Sequence, residues 1–333
     1  MKKYIFISII AMTALFTSCE KILVEPTQDD TQTAVFEQTW KIINEKYSFL
    51  EYRKINWDSI GTVYRKKVTN EITDDSLFRV LDRMLYTLKD GHVNIVSPYH
   101  KSRFSKFYLD YVQNYDLGLL QRNYLTNPQL TGVFTHQNIK GIGYIRYGDF
   151  QDDFSEKQLD YLIETYKNSK GLIIDVRDNT GGSISNVYQM LNRFTDKQVL
   201  VAKVAFKNGK GRNDFSVPQE TWLNPTPDSK KYLGKIVILT NRLCYSATSF
   251  FTAFAKNLPN VKLIGDKTGG GGGIPSSTQL SNGWTFRYSS TITTDPSGFN
   301  IENGVNPTIK IDMSKADIDK GKDSILERAL SEF

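Results

Sequence analysis

Apolar side chains recur every three to four positions in the first part of the chain, a spacing that predicts amphipathic helices. The three stripes consist of Phe36, Trp40, Ile43 and Tyr47; Ile60, Val63 and Tyr64; and Leu77, Leu81, Met84, Leu85 and Leu88. Because such stripes usually form the buried face of a helix, residues 34–91 are predicted to be an N-terminal helical subdomain. Thr73 is expected to cap the third helix, and Gly91 is expected to end it in the left-handed conformation.

The second half of the chain alternates short apolar runs with helical patterns. Buried strands are predicted at residues 141–147, 172–176, 236–239 and 261–264, with helices around residues 159–163, 187–194 and 246–255. This alternation is typical of a parallel sheet covered on both faces. The segment 284–294 alternates in polarity instead and is expected to pair antiparallel. Residues 141–333 are therefore predicted to form a layered α/β domain with a mixed, largely parallel sheet, joined to the helices by strands and loops at residues 92–140.

The first 33 residues differ from the rest in their pattern. Met1-Lys2-Lys3 is positive, and the apolar run of residues 4–16 is too short to span a bilayer, as in a signal peptide. Thr17, Ser18 and Cys19 follow, and small residues before a cysteine resemble the bacterial lipobox. This resemblance implies removal of residues 1–18, a lipid on Cys19, and a tether over residues 19–33. An ordinary secretory signal with an incidental cysteine is the alternative.

Composition excludes several classes of function. The net charge is +6, but the basic residues are scattered, and a nucleic-acid site needs them clustered on one face. Cys19 and Cys244 are the two cysteines, so a lipid on Cys19 leaves no disulfide within the chain. There is no His/Cys cluster or H-E-x-x-H motif for a metal, and the glycine run 269–273 lacks the G-K-[ST] ending of a phosphate loop. No cofactor is expected.

Two turns that follow predicted buried strands contain candidate catalytic groups. Residues 175–182 read DVRDNTGG, where paired glycines let a substrate approach backbone N–H groups. Residues 241–249 read NRLCYSATS and place Ser246 at the start of a helix, where the N–H of Ala247 points outward. A hydroxyl beside such a turn provides a nucleophile and an oxyanion hole for acyl transfer. A plain N-cap role is the alternative for Ser246.

These turns resemble those of the tail-specific (C-terminal processing) serine peptidases and of the tricorn protease core. Five segments in order carry the resemblance, over about residues 35–312: 89–92 (KDGH), 175–182 (DVRDNTGG), 241–247 (NRLCYSA), 265–268 (GDKT) and 302–307 (ENGVNP). The resemblance implies a catalytic domain of the ClpP/crotonase type with Ser246 as the nucleophile. Gly181 or Gly182, together with Ala247, would form the oxyanion hole. No inserted peptide-binding module is evident in residues 92–140.

The base distinguishes two branches of this family. The tail-specific enzymes use a lysine downstream of the serine, but here that position falls in residues 269–273, and Lys267 falls short of it. The resemblance to the tricorn-like branch implies His92 as the base and Glu302 as the carboxylate that supports its imidazole. Two alternatives stay open: His136, expected in a polar turn, is a second candidate base, and Glu302 could be a surface carboxylate.

Other residues of these segments are expected to be structural. His100 is expected to face solvent, Cys244 to be half-buried in packing, and Asp175 and Arg177 to brace the turn.

The sequence thus predicts a serine-type peptidase that acts on peptides or unfolded proteins through an acyl-enzyme on Ser246. It would be held in the cell envelope, at the outer membrane, by the lipid on Cys19. Two alternatives use the same fold: a binding protein that has lost its chemistry, or an esterase that uses the same serine.

Overall fold

A computed structural model describes residues 29–333 of the chain. The predicted signal peptide and Cys19 lie outside the described residues. Within them, no helix combines the length and the apolar character needed to cross a membrane.

A seven-stranded sheet forms the centre of the molecule. Its strands are β2 (Gln129–Thr131), β3 (Phe134–Ile139), β4 (Ile142–Tyr147), β5 (Leu172–Asp175), β8 (Ile236–Thr240), β9 (Val261–Gly265) and β13 (Ile309–Lys310). Their order is β13-β9-β8-β5-β4-β3-β2, parallel from β13 to β4 and antiparallel from β4 to β2. The predicted mixed, largely parallel sheet is confirmed.

Helices cover both faces of this sheet, as the continuous apolar strands predicted. One face packs against α6 (Glu156–Tyr166), α7 (Ile184–Leu191) and α8 (Ala247–Ala255), and the other against α5 (Leu117–Asn123) and α10 (Ser324–Leu330). The short helices α4 (Lys106–Leu109) and α9 (Lys315–Ile318) lie in connecting segments. Strands β5 and β8 are therefore fully buried, and the turns that follow them begin from a layer that is covered on both faces.

Three N-terminal helices match the predicted stripes. They are α1 (Gln32–Lys46), α2 (Trp57–Arg65) and α3 (Asp74–Tyr86), and Thr73 caps α3 by accepting from the N–H of Ser76. Helix α1 begins at Gln32, two residues inside the predicted tether. The prediction that Gly91 ends α3 is wrong: the helix ends at Tyr86, and Lys89, with φ 54°, is the left-handed residue of the following turn.

Two smaller sheets complete the fold. One has the order β1-β11-β10, with β1 (Asn94–Val96), β11 (Thr285–Ser289) and β10 (Pro275–Gln279); the other has the order β12-β6-β7, with β12 (Thr291–Thr294), β6 (Val199–Phe206) and β7 (Gln219–Leu223). Antiparallel pairing of segment 284–294 is thus confirmed. Helices α1–α3 share one core with Trp284, Phe286 and Tyr288. The C-terminal half therefore completes the core of the N-terminal helices.

Candidate active site

Ser246 occupies a strained turn between β8 and α8. Its φ and ψ are 55° and −121°, and the N–H of Thr248 donates to the carbonyl of Tyr245 at 3.1 Å. These values define a type II′ turn, whose first central position favours glycine. A serine there costs on the order of 1–3 kcal/mol, and such strain persists where the surroundings over-determine it. Strand, sharp turn and helix together present the hydroxyl outward, as in a nucleophile elbow.

The chain on both sides of Ser246 is fixed by backbone hydrogen bonds. The N–H of Ser246 donates to the carbonyl of Gly270 at 2.9 Å, and the N–H of Tyr245 donates to the carbonyl of Asn179 at 3.2 Å. The first bond joins the serine to the glycine run, and the second joins it to the turn that follows β5. These two neighbouring segments therefore set the position of the hydroxyl.

Asn179 connects the segments around Ser246, and the sequence analysis did not single it out, although it lies in the quoted motif. Its buried amide oxygen accepts from the Thr248 hydroxyl at 2.7 Å and from the N–H of Gly181 at 2.9 Å, and its Nδ2 donates to the carbonyl of Tyr147. One side chain thus ties the glycine turn to the first turn of α8.

The two glycines of the motif differ in whether their backbone N–H group is free to donate a hydrogen bond. The N–H of Gly181 is taken by Asn179, so Gly181 is not a free oxyanion donor in this structure. Gly181 instead supplies space, because a Cβ on it would lie 2.8 Å from Ser246 Cβ and 2.9 Å from the nitrogen of Ala247. Within residues 29–333, neither Gly182 nor Ala247 donates its backbone N–H to a protein acceptor. These two N–H groups remain for an oxyanion.

His92 lines the same cavity as Ser246, Gly181 and Gly182, a space of about 380 Å³. Its ring is buried and packs edge-on against Tyr245 at 4.9 Å between centroids. The ring atom Nδ1 has no hydrogen-bond partner among the described residues, and no hydrogen bond joins the ring to the Ser246 hydroxyl. The structure thus brings the two predicted groups to one cavity without pairing them.

The electrostatic setting of His92 favours the neutral ring. Burial lowers the pKa of His92 to about 4, and the positive charge of Arg287 lowers it further, against opposing contributions from Asp90 and the Gly273 carbonyl. A neutral imidazole can accept a proton, so the ring is in the form that a general base requires at neutral pH.

Asp90 is the carboxylate that contacts the His92 segment, and the sequence reasoning assigned it no separate role. It is buried, and its Oδ1 accepts from the backbone N–H of His92 at 2.7 Å and from the Tyr245 hydroxyl at 3.3 Å. Its Oδ2 accepts from the Ser289 hydroxyl at 2.9 Å. The Asp-Gly-His sequence was the available signal, because an acid two residues from a histidine can fix its backbone.

Glu302 pairs with Arg53 in this structure, and no hydrogen bond joins it to His92. Its Oε1 accepts from Arg53 Nη2 at 2.5 Å, whereas its buried Oε2 has no partner among residues 29–333. It lines a neighbouring cavity together with Lys267 and Arg242. Burial, followed by the charge of Asp90, raises the pKa of Glu302 to about 8 despite Arg53. The surface-carboxylate alternative is wrong, because Glu302 is 2% exposed.

The remaining candidates fall outside the cavity. His136 is not in a polar turn: it lies in β3, buried, with its ring nitrogens bonded to the hydroxyls of Thr131 and Tyr166. Cys244 is fully rather than half buried, and burial raises the pKa of its thiol, which disfavours a thiolate nucleophile.

Two further expectations are confirmed. Asp175 and Arg177 form a buried ion pair that extends to Asp323, as expected of a brace. His100 is exposed.

The glycine run 269–273 is largely buried and packed. A Cβ on Gly270 would lie 2.0 Å from the carbonyl oxygen of Glu302, and one on Gly271 would lie 2.5 Å from the Tyr245 ring. The glycines therefore allow the run 269–273 to pack closely against the backbone of Glu302 and the ring of Tyr245, the residue before the nucleophile. Within the described part of the chain, no group of three or more His, Cys, Asp or Glu side chains is arranged to hold a metal ion.

This geometry defines the class of site: a strained serine, two free backbone donors and a neutral histidine around one cavity are the parts of serine-dependent acyl transfer. Comparison with known proteins identifies the family. Residues 141–311 match the model of peptidase family S41, and residues 29–86 match the tricorn protease C1 domain. The chain belongs to peptidase family S41.

Individual relatives agree with this assignment. A crystal structure from Parabacteroides merdae, described as a candidate peptidase, is 35% identical with a TM-score of 0.87, covering 91% of this chain and 96% of that one. Mature CPAF shares the fold at a TM-score of 0.67 and 13% identity, over 90% and 95% of the two chains. A Staphylococcus aureus protein named "Probable CtpA-like serine protease" is 28% identical over 176 residues, 52% of this chain but 34% of that relative. The chain thus matches about a third of that relative's length.

Proposed function

We propose that this protein hydrolyses peptide bonds through an acyl-enzyme on Ser246. The observation that supports the proposal most strongly is the type II′ turn, which keeps Ser246 in a disfavoured conformation beside the unpaired N–H groups of Gly182 and Ala247. Strain at a residue of this kind is typical of functional sites. Membership of family S41 supports the same function and does not favour the esterase or the binding-protein alternative.

The reaction follows from the positions of these groups. The Ser246 oxygen attacks the carbonyl carbon of the peptide bond while His92 accepts the hydroxyl proton. The resulting oxyanion accepts hydrogen bonds from Gly182 and Ala247, each worth about 3 kcal/mol in such sites. The C–N bond then breaks, and the leaving amine takes the proton from His92. Water, deprotonated by the same ring, hydrolyses the ester and restores the serine.

The charged imidazole of this cycle needs a negative partner. The Asp90 charge favours protonated His92, so we assign this support to Asp90. Direct support by Glu302 stays a prediction, because its carboxylate contacts Arg53 here. A loss of kcat with unchanged KM in Asp90→Asn, but not in Glu302→Gln, would support the assignment to Asp90. The reverse result would restore Glu302 to the role implied by the sequence.

Peptide cleavage tests the proposed function. Denatured protein digests and quenched fluorescent peptide libraries serve as substrates, and mass spectrometry identifies the products. We expect cleavage by the wild type, none by Ser246→Ala, and a loss of about 100-fold or more in His92→Ala. Lys157→Gln, at an exposed lysine on α6, is the matched control. Lys101→Gln tests whether the lysine that lines this cavity is the base. Cleavage by Ser246→Ala at the wild-type rate would refute the nucleophile. Loss in Lys101→Gln that exceeds the loss in His92→Ala would identify a lysine base.

We also propose that the mature protein is lipid-anchored through Cys19 in the cell envelope, at the outer membrane. The support is the leader pattern of residues 1–19 in the sequence. Residues 20–31 would reach at most about 40 Å when extended, which keeps the catalytic domain close to its membrane. Radiolabelled palmitate should label the wild type and not Cys19→Ser, and the variant should leave the membrane fraction. Membrane-bound, unlabelled Cys19→Ser protein would contradict this proposal.

A further inference from the structure

Three cations surround the candidate active-site cavity without any acidic residue among its lining. Lys101, Arg103 and Arg287 line the cavity together with the uncharged amides of Asn94 and Gln151. Within residues 29–333, none of the three cations forms an ion pair or a side-chain hydrogen bond, although the chain has 36 acidic residues. Their charges are therefore directed at the cavity and solvent and are not neutralised by a protein partner.

The arginines of the neighbouring cavity differ from those of the active-site cavity. There Arg53 pairs with Glu302, and Arg242 pairs with Asp266 at 3.0 Å. Carboxyl groups of the protein thus hold the arginines beside the site but not those within it. Positive charges that line a cleft without a negative partner strengthen the local electrostatic potential and attract an anionic ligand.

The three cations lie on or beside the small sheet whose first strand follows His92: Arg287 is in β11, and Lys101 and Arg103 are in the segment after β1. Asn94, two residues after His92, is paired with Arg287 across β1 and β11. Lys101 forms a β-bridge with Val96, and the Ser102 hydroxyl accepts from the N–H of Ile95 at 2.8 Å. The cations therefore belong to the wall of the cavity that carries His92, whereas Gly182 and Ala247 belong to the wall that carries Ser246.

The chemistry of the reaction gives this wall a defined substrate partner. A histidine base that takes the serine proton delivers it next to the leaving amine. The segment that leaves must consequently extend along the His92 wall. The part of the substrate that faces the three cations is the part that follows the cleaved bond.

We propose that Lys101, Arg103 and Arg287 form a subsite for a carboxylate located on the leaving side of the cleaved bond. This inference rests on the proposed peptidase function. The carboxylate can belong to an aspartate or glutamate side chain, or to the free C-terminus of a short leaving segment. Arginine binds either group through two parallel N–H donors.

Paired peptides test the subsite and distinguish the two sources of the carboxylate. Quenched peptides that the wild type cleaves are resynthesised with Asp or Asn at each position after the cut, and with a free or an amidated C-terminus. Their kcat/KM values are measured for the wild type, for Lys101→Gln/Arg103→Gln, and for Lys157→Gln, an exposed lysine on α6 outside the cavity. Binding of the same peptides to Ser246→Ala is measured by fluorescence anisotropy, which does not depend on catalysis.

We expect the wild type to prefer Asp over Asn, or the free acid over the amide, by about tenfold, the size of one charge-assisted hydrogen bond. The double variant should lose most of this preference, Lys157→Gln should keep it, and added salt should weaken it. A preference for Asp identifies a side-chain carboxylate, and a preference for the free acid identifies the C-terminus.

Two results distinguish a failure of the subsite proposal from a failure of the proposed peptidase function. Equal kcat/KM values and equal binding for the charged and uncharged peptides would overturn the subsite while leaving the peptidase function intact. Carboxylate-selective binding to Ser246→Ala without any cleavage by the wild type would overturn the peptidase function while leaving the subsite intact.

Discussion

The two walls of the cavity are built differently. Around Ser246, every buried side-chain polar atom of residues 175–182 and 241–249 has a hydrogen-bond partner. Around His92, buried polar atoms lack partners: the Tyr47 hydroxyl, Arg53 Nε, His92 Nδ1 and Glu302 Oε2. The first wall lies at the ends of central-sheet strands, and the second lies where the N-terminal helices meet a three-stranded sheet.

This difference indicates which part of the site is ready for substrate. Buried polar atoms without partners cost free energy, so they mark a region that gains by rearranging. The nucleophile and the oxyanion donors are fixed before substrate binds. The base is neutral and lines the same cavity as the serine, but its Nδ1 has no hydrogen-bond partner among the described residues. Catalytic hydrogen bonds often tighten only in the substrate complex. We expect substitutions on the first wall to act through geometry, and those on the second wall through charge.

Ser246→Gly should give the largest effect and the clearest sign of strain on the first wall. Activity should fall by about 10⁴-fold or more, because the nucleophile is lost. Stability should rise by about 1 kcal/mol relative to Ser246→Ala, because glycine accepts a φ of 55° without strain. Urea unfolding of both variants measures the difference. A glycine variant no more stable than the alanine variant would mean that the turn stores no strain.

Gly181→Ala should have the next largest effect on activity. The φ of Gly181 is 100°, and an added Cβ would crowd Ser246 and Ala247, so kcat should fall about 100-fold. Gly283→Ala is the control, since its φ is 83° but its Cβ would meet only Gln279, at 3.9 Å. Both variants carry the left-handed strain, and only the first distorts the site. Similar kcat values for the two would refute the close fit inferred here.

Glu302→Gln, in the cavity next to the second wall, tests the comparison through stability. Because the pKa of Glu302 is raised to about 8, the native protein holds a proton that the unfolded chain releases near its ordinary value of 4.5. The wild type should therefore lose stability as pH rises from 4.5 to 8. Glu302→Gln has no such proton, so its stability relative to wild type should increase by about 4 kcal/mol between pH 5 and pH 9.

Unfolding midpoints at the two pH values measure this change, with Glu220→Gln, exposed on β7, as the matched variant. A stability difference that does not change with pH would show that Glu302 is ionised in the native protein throughout.

The smallest expected effect concerns the pH dependence of activity. With the pKa of His92 lowered to about 4, kcat/KM should stay high down to that pH and fall only below it. Arg287 contributes to this lowering, so Arg287→Gln should move the acid limb upward by a fraction of a pH unit. Lys157→Gln should leave it in place. Initial rates on an uncharged peptide, measured across the acid range, give the acid limb of each protein. An apparent pKa near 6.5 for this limb in the wild type would contradict a desolvated base.

The sequence predicted the first wall better than the second. Continuous apolar runs identified β5 and β8, a helix was predicted at residues 246–255, and the motif placed Ser246 and the glycines at their ends. The Arg53–Glu302 pair was not predictable in this way, because the partners are 249 residues apart and only the fold brings them together. His136 was misplaced because its strand was not recognised, although residues 134–139 alternate between buried and more exposed positions.

Covalent labelling with a fluorophosphonate tests the central claim most directly, because the reagent reports an activated serine without a known substrate. The wild type should gain one adduct, which peptide mass spectrometry places on Ser246. His92→Ala should react at least about 100-fold more slowly, and Lys101→Gln should react like the wild type. An unlabelled wild type, or equal labelling rates in wild type and His92→Ala, would contradict an account in which this imidazole activates this serine.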